Sequence, residues 1–239
     1  MKITFLGSSH GVPEPNRKCS CIMVEVEQNI YLIDIGTPAI DQLRRRGKSI
    51  DAVKGVFITH MHGDHTDGLI QFADLIAWYF KTPNPVIVLP DVKAEQVINS
   101  WLDLTLNGHH TSLEYRQTKE GLVYDDGVVR VSAIPTQHCP GSHAYVLEAE
   151  GKTVLFTGDL GNPGRDFPYV DKELDLLICE SAHFPTMDYL PVLEKQQTKN
   201  ICVTHYSPKR MESLYEFQRL MKEREKPIII ATDDLELNV

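Results

Sequence analysis

The sequence predicts an α/β fold in which two mixed β-sheets pack face to face with helices on their outer sides. Three observations carry this. Short apolar runs rich in β-branched residues recur along most of the chain, and segments of helical length lie between them. No internal repeat, low-complexity stretch or Pro/Gly/Ser linker divides the 239 residues. That much apolar strand needs a second sheet to bury it, so one domain over residues 1–239 is expected.

The runs Ile3–Leu6, Ile22–Val26, Ile30–Ile33, Val53–Ile58, Val86–Leu89, Val128–Ile134, Ala144–Glu148, Thr153–Phe156, Leu174–Cys179, Ile201–Thr204 and Pro227–Ala231 read as strands. Gln28-Asn29 and Glu150-Gly151 supply tight hairpin turns. Helices are expected at Asp67–Phe80, Asp91–Leu102, Met187–Lys195 and Pro208–Glu223, the last with Ser207 as N-cap and Pro208 at its first position. Residues 103–127 show no clear period and are expected to be irregular. The strands form two groups, residues 1–134 and 144–231.

Composition excludes several classes. The N-terminal apolar run is too short for a signal peptide, and nothing approaches the ~20 apolar residues that span a bilayer. The five cysteines are odd in number and scattered, which suits free thiols and a cytoplasmic location. With 24 basic and 33 acidic residues the net charge is −9, unlike a protein that grips long nucleic acid by its backbone. The basic clusters Arg44–Lys48 and Lys222–Lys226 read as solvated helix ends. Bulk charge therefore favours a small substrate, although metal ions can reverse the field inside a pocket.

The chemistry concentrates in THMHGDH, where His60, His62, Asp64 and His65 fall just after the apolar run Val53–Ile58. A strand ending at Thr59 and opening into a loop before a helix lets all four side chains face one point, as sites in such folds do. His138, Asp159 and His205 each follow an apolar strand and precede Gly, Pro or Ser. Five imidazoles and two carboxylates suit two divalent ions that share a carboxylate and a bridging water. Zinc is the expected metal, with manganese or iron compatible.

THMHGDH matches the HxHxDH signature, and the chain resembles the metallo-β-lactamase superfamily over nearly its whole length. FLGSSHGVPEPNRKCS, LIDIG, GKTVLFTGD and LLICESAHF are similar to segments of ribonuclease Z and its relatives. The resemblance implies a four-layer αββα sandwich with the site at one sheet edge. It assigns His60, His62 and His138 to one metal, Asp64, His65 and His205 to the other, and Asp159 as the bridge. It also implies that Asp34 supports the histidine loop. His183, placed like the ligands after a buried strand, is the candidate general acid; Asp64 is expected to serve catalysis through its metal. His10 is a candidate for the substrate mouth. His143 reads as a strand residue, His109-His110 as surface groups, and Cys19-Ser20-Cys21 as small apolar residues around a strand start.

These features predict a dinuclear metal-dependent hydrolase, a phosphodiesterase using a metal-bridging hydroxide on a small phosphodiester. Bacterial ribonuclease Z carries a long arm between the third histidine motif and the bridging aspartate. Here only 20 residues lie between His138 and Asp159. RNA processing of tRNA 3′ ends is the first alternative, lactone or carboxyl-ester hydrolysis the second, and a non-catalytic metal sensor the third. No membrane partner is expected, and a homodimer is one assembly open to it.

Overall fold

The computed structural model describes residues 1–105 and 113–239. His109-His110 falls outside the described residues. The first sheet contains β1 (Lys2–Gly7), β2 (Cys21–Val26), β3 (Asn29–Ile33), β4 (Val53–Phe57), β5 (Val86–Leu89) and β6 (Glu114–Gln117). The second contains β7 (Gly121–Asp125), β8 (Arg130–Pro135), β9 (His143–Ala149), β10 (Lys152–Phe156), β11 (Leu176–Ser181), β12 (Ile201–Tyr206) and β13 (Ile228–Ile230). β14 (Glu236–Asn238) then returns to the first sheet beside β1. The spatial orders are β14-β1-β2-β3-β4-β5-β6 and β13-β12-β11-β10-β9-β8-β7. Each sheet is half antiparallel and half parallel, with β3 to β6 and β10 to β13 the parallel halves.

Strand side chains alternate between faces, and here both faces are apolar. Tyr31 and Ile33 of β3 enter the layer between the sheets, while Ile30 and Leu32 face outward. There they meet Leu43 of α1 (Ala39–Arg45), Phe72 of α3 (Leu69–Leu75) and Ile98 and Leu102 of α4 (Lys93–Leu104); α2 (Gly63–Thr66) precedes α3. In β11, Leu176 and Ile178 face the first sheet, and Leu177 and Cys179 face the opposite helices. Those helices are α6 (Leu190–Leu193) and α7 (Met211–Glu223), which supply Val192, Leu214, Phe217 and Met221; α5 (Pro163–Asp166) lies earlier in the chain. Two-sided burial is why the strands read as near-continuous apolar runs. Each fully buried side chain of this size, such as Phe57 or Phe156, contributes about 1.5–3 kcal/mol. The result is the expected αββα sandwich. No helix among the described residues is long and apolar enough to cross a membrane.

Several expectations need correction. Residues 103–127 are not all irregular: they include β6 and β7, the edge strands of the two sheets. Glu114–Gln117 is mostly exposed, so it has no apolar run to mark it. The chain changes sheets between these two strands, which puts β8 in the second sheet rather than the first group. The helix expected from Asp67 begins at Leu69, and a separate one-turn helix, α2, precedes it, so Asp64 and His65 lie on α2 rather than in an open loop. A π-helical turn, Ile76–Phe80, follows α3. The hairpin after β2 turns on Glu27-Gln28, with Glu27 at φ 54° and Asn29 already paired to Val26. The Glu150-Gly151 turn is as expected, both residues having positive φ. Ser207 does cap its helix, accepting from the Lys209 N–H at 3.3 Å, but the first turn, Pro208–Arg210, is 3-10.

The sheets are joined at the edge where the parallel strands of both halves end. His143 N–H donates to the Thr59 carbonyl at 2.9 Å, and Tyr145 Oη donates to the Ile58 carbonyl at 2.9 Å. That edge carries the site.

Candidate metal centre

Asp34 is the foundation of the histidine loop. It directly follows β3 in a left-handed conformation, φ 61°, rare for a residue with a side chain. Its Oδ1 accepts the Thr59 N–H at 2.8 Å, and His65 Nδ1 donates to its Oδ2 at 2.7 Å. Ile35 N–H donates to the His65 carbonyl at 2.9 Å. Gly36 packs so closely that a Cβ there would lie 1.7 Å from the Asp64 carbonyl oxygen. The segment LIDIG thus braces α2 by carboxylate, backbone and steric contact together. A ligand imidazole whose other nitrogen donates to a carboxylate is fixed in tautomer and orientation.

The other candidate ligands arrive from the second sheet. His138 lies in the β8–β9 loop, where Asp166 Oδ2 accepts the N–H groups of Gln137 at 3.0 Å and Gly161 at 2.9 Å. This buried carboxylate ties the His138 loop to the loop that carries Asp159. Asp159 is 3% exposed and lies three residues beyond the end of β10, after Thr157, whose N–H donates to the Ile178 carbonyl. His205 was expected past its strand; it lies inside β12, with its backbone at φ 47°.

All seven predicted ligands converge, and in two groups. His60 Nε2, His62 Nδ1, His138 Nε2 and an Asp159 oxygen form the first; Asp64, His65, His205 and an Asp159 oxygen form the second. Within each group the ligand atoms lie within 4.8 Å of one another. Asp159 divides its two oxygens between them. Its Oδ2 is 3.6 Å from His60 Nε2 and 3.7 Å from His138 Nε2. Its Oδ1 is 3.5 Å from His65 Nε2 and 3.3 Å from His205 Nε2.

The donor chemistry fits divalent cations. His65 Nε2, Asp159 Oδ1 and both ring nitrogens of His205 are buried without a hydrogen-bond partner. Such groups cost about 1–3 kcal/mol each when left unsatisfied, and here His65 Nε2 and His205 Nε2 lie 3.5 and 3.3 Å from Asp159 Oδ1. Burial, reinforced by neighbouring imidazoles, pushes the His60 pKa down to about 2, so its lone pair is free to ligate. Burial opposes ionisation of Asp64, but the bond and charge of His65 outweigh it and bring Asp64 to about 2. Burial likewise disfavours a charged His65, yet Asp159 and Asp34 outweigh it and raise its pKa. A cluster of imidazoles and carboxylates of this kind is a donor set that suits divalent cations.

His183 stands at the mouth, its ring 4.6 Å from that of His138 between centroids. Its Nδ1 donates to Glu180, 2.8 Å from Oε1 and 2.9 Å from Oε2. That hydrogen bond, with the Glu180 charge, raises its pKa against the effect of burial. Glu180, 1% exposed, also accepts from the N–H groups of Leu160 and Ala182 at 2.8 Å. Sequence reasoning passed over Glu180 and Asp166. Strand parity was the signal for Glu180: it shares the inward face of β11 with Leu176 and Ile178. His10 is half-buried and pairs with Glu14 at 3.3 Å, in a loop that passes Asp64. Cys19 and Cys21 are buried free thiols, as expected, and His143 opens β9.

Known proteins resemble this chain in sequence and in fold. The ribonuclease BN of Cronobacter sakazakii is 31% identical over 157 residues, covering 64% of this chain and 51% of that protein. The chain spans about half the length of most ribonuclease Z relatives it matches. The crystal structure of the short form of human tRNase Z superposes with a TM-score of 0.76 at 21% identity, covering 100% of this chain and 99% of that one. The metallo-β-lactamase fold protein YhfI from Bacillus subtilis gives 0.78 at 17%, with 99% and 98% covered. A family model described as Anti-Pycsar protein Apyc1 matches residues 1–226. The chain is therefore a metallo-β-lactamase-fold protein of the ribonuclease Z-like group, and it belongs to the Anti-Pycsar protein Apyc1 family.

Proposed function

We propose that this protein is a dinuclear metal-dependent phosphodiesterase acting on a small phosphodiester, cyclic nucleotides and nucleotide-like esters included. One observation carries the reading: two ligand groups share Asp159 through its separate oxygens. His60, His62, His138 and Asp159 would hold one divalent ion, and Asp64, His65, His205 and Asp159 the other, zinc first among the candidates. Ions held there supply a nucleophilic water at neutral pH and neutralise charge on the attacked phosphorus and the leaving oxygen.

The remaining work falls to side chains. Asp34 holds His65 in one tautomer, and the buried floor of Ile33, Phe156 and Ile178 keeps bulk water from behind the ligands. In the hydrolysis, water oxygen bonds to phosphorus, releasing one proton to solvent, as the P–O ester bond breaks, and the leaving oxygen needs a proton. His183 carries one: with Nδ1–H engaged by Glu180, Nε2–H is the proton free to be given. Asp64 acts through its place in the second ligand group.

Substrate size rests on two features. The stretch between His138 and Asp159 is filled by the β9–β10 hairpin, with no arm there to hold tRNA. The net charge of −9 offers little to a long polyanion. The similarity to ribonuclease Z favours tRNA 3′ processing as the second reading. One metal-loaded preparation assayed on bis-p-nitrophenyl phosphate, a cyclic nucleotide, a lactone and a pre-tRNA separates these. Turnover of the small diesters with poor cleavage of pre-tRNA is expected. Efficient, steeply salt-dependent pre-tRNA cleavage favours the second reading, and turnover of the lactone alone refutes both.

A further inference from the structure

We infer that Arg17 is a positioning residue for His205, setting the second ligand group from outside it; the inference rests on the dinuclear reading above. The ligands are not oriented alike. His65 is held by Asp34 through its ring, whereas neither ring nitrogen of His205 has a hydrogen-bond partner. Its direction must therefore come from its backbone, which adopts the left-handed region at φ 47° inside a strand. An L-residue holds that conformation only when its surroundings fix it.

The neighbouring carbonyls supply that constraint. His205 N–H donates to the Ser8 carbonyl at 3.1 Å. Arg17 donates from Nη1 to the same Ser8 carbonyl at 3.2 Å and from Nη2 to the Tyr206 carbonyl at 2.9 Å. Its guanidinium carbon lies 3.7 Å from the centre of the Tyr206 ring. One guanidinium thus clamps the acceptor of the His205 N–H, the next peptide and the next side chain. The side chain is 9% exposed, and Glu14 orients it with a bond of 2.6 Å to Nη2 and one of 3.2 Å to Nε. Opposite the clamp, Asp233 accepts the Ser8 N–H and Oγ–H at 2.9 Å, so Ser8 is held from both sides. A lysine keeps the charge but has no planar fork to reach two carbonyls while stacking on a ring.

The test is a calorimetric zinc titration of metal-free wild type, Arg17→Lys and His205→Ala, with the thermal melt of each metal-free protein. Wild type should take up two ions. Arg17→Lys should bind one ion as wild type does and the other about 10–100-fold more weakly, the range for residues that orient ligands from outside. The weakened step should be the one that His205→Ala removes, with the metal-free melt close to wild type. Wild-type binding of both ions by Arg17→Lys overturns the inference, as does equal weakening of both. If Arg17→Lys does not fold, Glu14→Gln decides: loss confined to the same step supports the inference, and unchanged binding of both ions overturns it. Fewer than two ions in wild type would instead refute the dinuclear reading, and the inference with it.

Discussion

Replacing His183 by alanine should separate proton donation from everything else the site does. The ring is held by two Glu180 oxygens, at 2.8 and 2.9 Å from Nδ1, so its orientation costs little during the reaction. General-acid help is worth about 10²–10⁴-fold, equivalent to about 2.7–5.4 kcal/mol of barrier at ~1.36 kcal/mol per decade. A diester with an alkoxide leaving group should lose about that much in His183→Ala. A p-nitrophenolate leaving group needs little protonation and should lose much less. Glu180→Gln adds a check on the sign. Removing the carboxylate forfeits a charge-assisted bond that, with the Glu180 charge, holds the pKa of His183 up, so that pKa should fall. Because the acid must be protonated to act, the alkaline limb of kcat/KM should move to lower pH. Steady-state rates on both substrates, across pH and with metal content measured, read this directly. Equal losses on the two substrates, or an unmoved alkaline limb, would refute the acid role.

Other consequences follow from the supporting structure. Gly36→Ala puts a Cβ 1.7 Å from the Asp64 backbone oxygen, an overpacking that typically costs about 1–3 kcal/mol; thermal melts should fall by several degrees and metal uptake should weaken. Asp175 accepts Lys199 Nζ and the Thr153 N–H at 2.9 Å, and these bonds, the lysine's foremost, hold its carboxyl at about 2. A depressed carboxyl stabilises the fold above its unfolded pKa of about 3.9 and loses that effect as pH falls toward 2. Asp175→Asn should therefore be less stable than wild type near neutrality in denaturant melts, with the gap closing between about pH 4 and pH 2.

The elements that sequence reasoning reached are those buried on both faces. β2, β3, β4, β10 and β12 declare themselves because most of their residues are buried apolar side chains in the central or the outer layer. Edge strands do not: β6 reads EYRQ and β14 reads ELN, and both pair through backbone groups that sequence does not display. The ligands were legible because metal chemistry leaves few alternatives for four such side chains in one loop. Their supports were not. Glu180 and Asp166 are single acids whose roles depend on which backbone N–H groups fold against them. Arg17 was visible only as part of a familiar opening segment, since its partners, Tyr206 and Ser8, come together only through β12.

The account stands on Asp159 joining two ions, and metal content tests it most directly. Elemental analysis after zinc loading and removal of excess metal should give about two ions per chain for wild type and a clear deficit for Asp159→Ala, whose activity should be largely lost in parallel. One ion or fewer in wild type, or an Asp159→Ala protein that keeps both metals and near wild-type turnover, would contradict it.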